Sequence, residues 1–350
     1  MASANVNDLL KRVTLEGVVP LNIELGSGAY GRVFKVKYCG LVCAAKQIHQ
    51  TLIDSEQKEA FKDDFVRECL NSSDIRHPNI VQFMGVYYSV EQPDIPTMVM
   101  ELMNTSLTMF VQSNRSNVSL TTKISILNDV SLGLSYLHLR KPPVIHRDLS
   151  SNNVMLNEHL VAKIGDLGVA KVVRAESRNT KRKLTTAPGT VDFMPPETLE
   201  EEPIYDTPVD VFSFAGISLH LLCEEWPTPV GSKRRDPKTR RLYALTEVER
   251  RQRYFDKINE RVAIQLIQMI VRCLDDDPDV RPAIREVAET IEPLKERDLQ
   301  PSSQPIKSNG MFCSIFYMYC IHMLSKRGCG WSLCVEILRK SGPLITGVVV

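Results

Sequence analysis

Charge of one sign is what this sequence most lacks. Its 43 Lys and Arg residues against 42 Asp and Glu leave a net charge of +1. No overall field therefore draws the chain toward nucleic acid or an anionic membrane, and partners must be held by local sites. A cysteine framework is missing too: the nine cysteines are odd in number and include no CxxC pair, which fits the reduced thiols of a cytoplasmic protein better than a disulfide scaffold. The amino terminus, Met1-Ala2-Ser3-Ala4, has no basic stretch leading into an apolar run, and Ala2 stands where an acylation signal requires glycine. Both secretion and myristoylation are thereby unsupported. No internal repeat is visible. What is present, 43% hydrophobic and 24% charged residues over 350 positions, is a soluble globular composition with enough apolar side chains for a core in two lobes.

The chemistry concentrates between positions 144 and 168. Val144-Ile145-His146-Arg147-Asp148 is followed by Asn153 and then by Asp166-Leu167-Gly168. Phosphoryl transfer needs an acid to orient an attacking hydroxyl, and an amide oxygen with a carboxylate to hold Mg²⁺, with little covalent help. Asp148, Asn153 and Asp166 are of those types. A lone Asp beside an Arg is more often a surface ion pair, so the elements around it decide between the two. Upstream, Gly26-Ser27-Gly28-Ala29-Tyr30-Gly31 offers a turn whose glycines let backbone approach phosphates with no Cβ in the way. A dinucleotide-binding fold would place a helix directly after such glycines. Here Val33, Val36, Tyr38, Leu41 and Val42 predict a hairpin instead.

With Ala44-Ala45-Lys46, Phe65-Val66-Arg67-Glu68, Pro195-Pro196-Glu197 and Asp277-Pro278-Asp279-Val280-Arg281-Pro282 in the same order, residues 18–294 resemble a protein kinase domain. The best match is the tyrosine-kinase-like group that includes the Raf and mixed-lineage kinases, through Ser151-Asn152-Asn153 and Gly189-Thr190-Val191-Asp192-Phe193-Met194. The resemblance implies an α+β bilobal fold, with a small β-rich lobe carrying one helix, a hinge near 101–105 and a large helical lobe. It implies an ATP site of Leu25, Gly26, Ser27, Gly28, Gly31, Val33, Ala44, Lys46, Glu68, Met100, Glu101, Met103 and Met155, with Met100 as gatekeeper. Catalytic roles fall to Asp148, Lys46, Asn153 and Arg147, and Mg²⁺ binding to Asn153 and Asp166. Asp210 would accept hydrogen bonds from the catalytic-loop backbone, and Glu197 would pair with Arg281. Thr190 would read Ser/Thr substrates, with dual specificity left open, and Ser177, Thr180, Thr185 and Thr186 are candidate phosphorylation sites for an upstream kinase, Arg147 receiving the phosphate. The implied activity is ATP-dependent phosphorylation of cytoplasmic protein substrates in signalling, and the alternative is a nucleotide-binding pseudokinase scaffold.

Two departures from the family pattern stand out. Leu167 replaces the usual Phe, and Ser72, one helical turn after Glu68, replaces a large apolar side chain. A poorly filled contact there predicts a loosely held Glu68 helix. Ser150 and Asn152 stand where a cation beside the transferring phosphoryl group is usual. The residue pattern predicts strands over 18–48, a helix over 56–70, a helix with the stripe Leu127, Val130, Leu134 and Leu137, and a helix buried on every side over 209–222, while the resemblance implies the strands at 77–81 and 97–103. Residues 1–17 read as a short leader, partly helical around Leu9 and Leu10, 231–253 as a basic insert, 295–310 as a linker, and 311–350 as a tail outside the fold. The uncharged run Met311–Leu324 is shorter than the roughly 20 apolar residues a bilayer requires, so a poorly ordered tail is preferred to an interfacial anchor.

Overall fold

The computed structural model describes residues 6–28, 31–49, 58–90, 92–114, 117–167, 171–172, 191–199, 205–227, 233–235, 242–244 and 262–297. The glycine turn is a hairpin, as its β-forming flanks require: β1 (Val19–Ser27), β2 (Gly31–Tyr38) and β3 (Leu41–Ile48) run antiparallel, with Val33 opposite Lys46 and Lys35 opposite Ala44. The period of two sends Cys43 and Ala45 into a core with Val36, Tyr87 and Val99, and leaves Ala44 and Lys46 on the other face. A Cβ at Gly31 would lie 2.3 Å from the Gln47 carbonyl, so only glycine lets β2 close on β3 there. With β4 (Phe83–Tyr87) and β5 (Thr97–Glu101) the sheet has the order β1-β2-β3-β5-β4, which leaves β4 on an edge.

Helix α2 (Lys58–Ser73) lays Phe65, Val66 and Cys69 into a second small-lobe core with Ile48, Phe83, Val86, Ile95 and Met98. The expected leader is built into this lobe. Helix α1 (Val6–Val13) contributes Leu10, 5% exposed, to the same core, and Thr14 then bridges Val86 on β4.

The predicted strand over 77–81 is not one. His77–Ile80 turns, and Asn79 is committed to the other lobe: its side chain donates to the Ala162 carbonyl (3.0 Å) and its own carbonyl accepts from Ile164 N–H (2.9 Å). Backbone groups spent on the large lobe are unavailable to the small-lobe ladder, and the strand itself begins later, at Phe83.

Beyond β6 (Thr105–Ser106) and α3 (Leu107–Ser113) the large lobe is organised on two helices. Helix α4 (Leu120–Leu139) starts at Ser119, whose hydroxyl accepts from Thr122 N–H, and its stripe Leu127, Val130, Leu134 and Leu137 is fully buried. Helix α5 (Thr207–Cys223) is capped by Asp206, carries Pro208 in its first turn, and is buried from Val209 to Leu222 without interruption. Short strands β7 (Val144–Ile145), β8 (Val154–Leu156), β9 (Ala162–Ile164) and β10 (Lys171–Val172) frame the loops between them. Of the basic insert, β11 (Lys233–Arg235) pairs with β12 (Leu242–Ala244). Helices α6 (Ile264–Cys273), α7 (Ile284–Ile291) and α8 (Leu294–Arg297) follow, the last running into the expected linker. The rest of that linker and the tail 311–350 lie outside the described residues. Among the described residues no helix is long and apolar enough to cross a membrane, and Cys39, Cys43, Cys69, Cys223 and Cys273 are free thiols.

Candidate active site

The site forms where the apolar stripe of α4 delivers the chain into residues 144–153. Its geometry depends on Asp210, fully buried near the start of α5. One carboxylate oxygen accepts from His146 N–H (2.8 Å) and lies 2.8 Å from His138 Nε2, and the other accepts from Arg147 N–H (2.9 Å). Burial alone would raise the Asp210 pKa, but the His138 contact and the backbone donors reverse the sign and hold it below the usual carboxylate value. Arg147 has φ +71°, an unusual conformation for a bulky residue, and the Asp210 bond to its N–H is what holds that turn.

His146 is interior. Its Nε2 lies 2.9 Å from the Gly165 carbonyl while Nδ1 accepts from Asp148 N–H (3.3 Å), and a proton on Nε2 satisfies both contacts. Asn153 donates through Nδ2 to the Asp148 carbonyl (2.7 Å) and to Asp148 Oδ2 (3.2 Å). These bonds fix the two side chains against each other and direct Asn153 Oδ1 away from its own donors. Asp166, at φ +56°, follows Gly165, whose N–H is tied to the Asn153 carbonyl (2.8 Å). The side-chain oxygens expected from the sequence to hold a cation, on Asn153 and Asp166, are therefore carried by adjacent loops. An amide oxygen and a half-exposed carboxylate suit Mg²⁺, which keeps waters and takes phosphate oxygens for the rest of its shell.

Across the cleft, Lys46 Nζ sits 2.8 Å from Glu68 Oε1 and 2.9 Å from Asp166 Oδ1, so one ammonium joins β3, α2 and the loop after β9. Burial works against the charge on Lys46, but Asp166 and Glu68 outweigh it and raise its pKa. For Glu68 burial is the larger effect: the carboxyl is pushed up to about 7 despite the pull of Lys46. Met100 lies opposite Ala44 in the β3–β5 ladder, and Met103 is buried just beyond, so the hinge residues expected to meet the base follow directly from β5. Leu25, Gly26, Ser27 and Gly28 form the exposed rim, and Val33 and Met155 are half-buried.

Glu197 and Arg281 meet in the interior of the large lobe, Nη1–Oε1 at 2.5 Å and Nη2–Oε2 at 2.8 Å, with Arg281 Nε on the Asp275 carbonyl and the guanidinium 5.0 Å over Phe212. Ser150 is only 1% exposed, so the neutral position near Asp148 is interior rather than an open place for a missing cation. Ser72 is buried on α2, and Leu167 packs at 5% exposure in the large-lobe core with Ile75 and Ile80. Thr190, Ser177, Thr180, Thr185 and Thr186 lie outside the described residues.

Several participants went unread in the sequence. His138, in the last turn of α4 just ahead of residues 144–153, completes the Asp210 cluster; that place in the helix was the available signal. His49 Nε2 is 2.8 Å from the Gly28 carbonyl and 3.3 Å from Ser27 Oγ, tying the glycine turn to the end of β3. Lys163 binds both carboxylate oxygens of Glu101 (2.8 and 2.7 Å), and Glu101 Oε1 also accepts from Gln82 N–H, behind the hinge.

A small sheet over a helical lobe, with a lysine, two acids and an asparagine converging on the cleft, defines a phosphoryl-transfer fold. The chain belongs to the protein kinase domain family, whose sequence profile matches residues 21–291. It is similar to the serine/threonine-protein kinase STY17 of Arabidopsis thaliana, 28% identical over 275 residues that make up 77% of this chain and 44% of the relative. It is likewise similar to the serine/threonine-protein kinase VIK of the same plant (29%, covering 78% of this chain and 59% of the relative). A third relative is the probable serine/threonine-protein kinase kinX of Dictyostelium discoideum (31%, covering 78% and 23%). The chain thus matches less than two thirds of the length of each of these relatives.

Proposed function

We propose that this chain is a protein serine/threonine kinase of the tyrosine-kinase-like group, transferring the γ-phosphate of ATP to hydroxyls of cytoplasmic protein substrates. The observation that carries the reading is the constellation at the cleft: Lys46 joined to Glu68 on its own wall and to Asp166 on the opposite one, where Asp148 is joined to Asn153. Asp148 orients the substrate hydroxyl and takes its proton. Lys46, held by Glu68, places the α- and β-phosphates, and the glycine turn covers them with backbone N–H groups. Asn153 and Asp166 would hold Mg²⁺, which supplies neutralisation of charge on the phosphates when bound. Met100, Glu101 and Met103 form the edge that meets the adenine.

The presence of all four residues, with Lys46 bonded to Asp166 and Asn153 bonded to Asp148, disfavours a scaffold that has lost its chemistry. In the same reading Thr190 selects Ser/Thr hydroxyls. A phosphate on Thr185 or Thr186, placed by an upstream kinase, pairs with Arg147, whose guanidinium stands 4.5 Å over the Tyr205 ring. The test is ATP turnover with Mg²⁺ and a Ser/Thr peptide, for wild type and Asp166→Asn. Turnover by wild type alone is the expected result; equal background rates overturn the reading.

A further inference from the structure

The segment ahead of the residues matched by the kinase family, which begin at 21, packs against the helix that carries Glu68. Leu10 is 5% exposed and shares one apolar cluster with Phe65, Val66 and Cys69 of α2, with Val13 and Leu70 packed against the same cluster. The next residues seat on β4, the edge of the sheet. Leu15 N–H donates to the Val86 carbonyl (2.7 Å), Thr14 bridges Val86 in parallel, and Thr14 Oγ1 donates back to the Leu10 carbonyl (2.9 Å). Strand β4 accommodates the segment at Gly85, where a Cβ would fall 2.5 Å from the Val13 carbonyl oxygen and 2.6 Å from Leu15 Cγ. A loose leader would need neither the notch nor the edge bond.

From these contacts we infer that residues 10–15 are a strap that positions Glu68, with Leu10 as its main positioning residue. Helix α2 carries Ser72 where a bulky apolar side chain would otherwise fix it from within. Leu10 supplies apolar contact to the same helix from outside, and β4 supplies the strap's fixed end. An edge strand bonded along one side is a firm support for such a segment. Glu68 reaches Lys46 only if α2 stays against the sheet, so Leu10 acts on the reaction through the Lys46–Glu68 pair and touches no reacting atom.

This inference rests on the kinase reading for its kinetic part only, and hydrogen exchange provides a measure independent of activity. In the full-length chain, Leu10→Ala is expected to speed exchange across Lys58–Ser73 by about tenfold or more, since truncating a buried leucine shifts a local equilibrium by at least that factor. Exchange in Leu120–Leu139 and Thr207–Cys223 should stay as in wild type. Turnover should fall mainly in kcat, with a smaller change in KM for ATP, and Leu10→Met should restore both exchange and turnover. Leu15→Pro, which removes the N–H bonded to Val86, should reproduce the exchange pattern of Leu10→Ala without touching the apolar cluster's main contact. Unchanged exchange across Lys58–Ser73 in both Leu10→Ala and Leu15→Pro overturns the strap, as does acceleration spread equally over all three helices. Accelerated exchange confined to α2 in a chain whose wild type shows no turnover leaves the strap standing and overturns the kinase reading instead.

Discussion

The two walls of the cleft are built in opposite ways. On the large-lobe wall, Asp210 and the Arg281 side chain are fully buried, and each makes several short bonds to backbone and to a charged or aromatic partner. On the small-lobe wall Glu68 is buried, but its partner Lys46, with a side chain 20% exposed, reaches across the cleft toward an Asp166 that is 46% exposed. Buried multiply bonded charges lose heavily if one partner is removed, whereas exposed ones can be exchanged for water or ligand. The large-lobe wall therefore sets geometry, and the small-lobe wall adapts to what enters.

Four substitutions sharpen or break this contrast. The largest effect is expected from Asp148→Asn, which should lower kcat on the order of 10²–10⁴-fold while nucleotide affinity by calorimetry stays near wild type. An undiminished kcat would remove Asp148 from the proposed chemistry. Next is Glu197→Gln, which leaves the Arg281 charge in the interior without its anion and should cost about 3–5 kcal/mol in denaturant unfolding. A cost below about 1 kcal/mol would place the pair with surface ion pairs and erase the difference between the walls.

The third concerns pH. Because burial raises Glu68 to about 7, its protonation should break the Lys46 pair, and kcat/KM should rise with pH through about 7 and fall roughly tenfold per unit below it. Glu68→Gln should show a low rate without that limb. For stability the sign is reversed: the folded chain holds the Glu68 proton more tightly than the unfolded chain, so this group favours folding at low pH and loses that contribution as pH rises from 4.5 to about 7. The smallest effect is expected from His49→Ala, which frees the Gly28 carbonyl and should raise KM for ATP a few-fold with little change in kcat. An equal loss in kcat would mean that His49 does more than hold the turn.

Much of the site was legible because phosphoryl transfer requires particular residue types, and those types occur at fixed places in local sequence. Asp148, Asn153 and Asp166 lie within one stretch and their convergence follows from two adjacent loops. The hairpin over Val19–Ile48 could be read from β-forming residues around glycines, and α5 from its unbroken apolar composition. What could not be read was set by contacts between distant segments. The strand expected over 77–81 rests on the resemblance, whereas Pro78-Asn79 favours the turn that forms; the bonds of Asn79 with Ala162 and Ile164 are long-range and leave no local mark. His138 was missed for the same reason, since its partner Asp210 lies on another helix. The helix of the leader is legible in Val6, Leu9, Leu10 and Val13 at i, i+3, i+4 and i+7, but its docking is not, because the partners of Leu10 on α2 and β4 begin far along the chain.

Gly133 in the middle of α4 shows how the lobes are joined. A Cβ there would come within 2.6 Å of the Asn79 carbonyl oxygen and 3.2 Å of Ile164 Cδ1, so helix and turn meet with no space for a methyl group. Arg76 N–H donates to Tyr136 Oη, His77 stacks on the same ring with centroids 5.0 Å apart, and Val81 N–H donates to the Ile164 carbonyl. Mechanically, the stretch between α2 and β4 is thus a piece of the larger lobe carried within small-lobe sequence. Any opening of the cleft must pivot about this stretch and the hinge after β5, which confines the sheet to rotation about one line and denies it free translation.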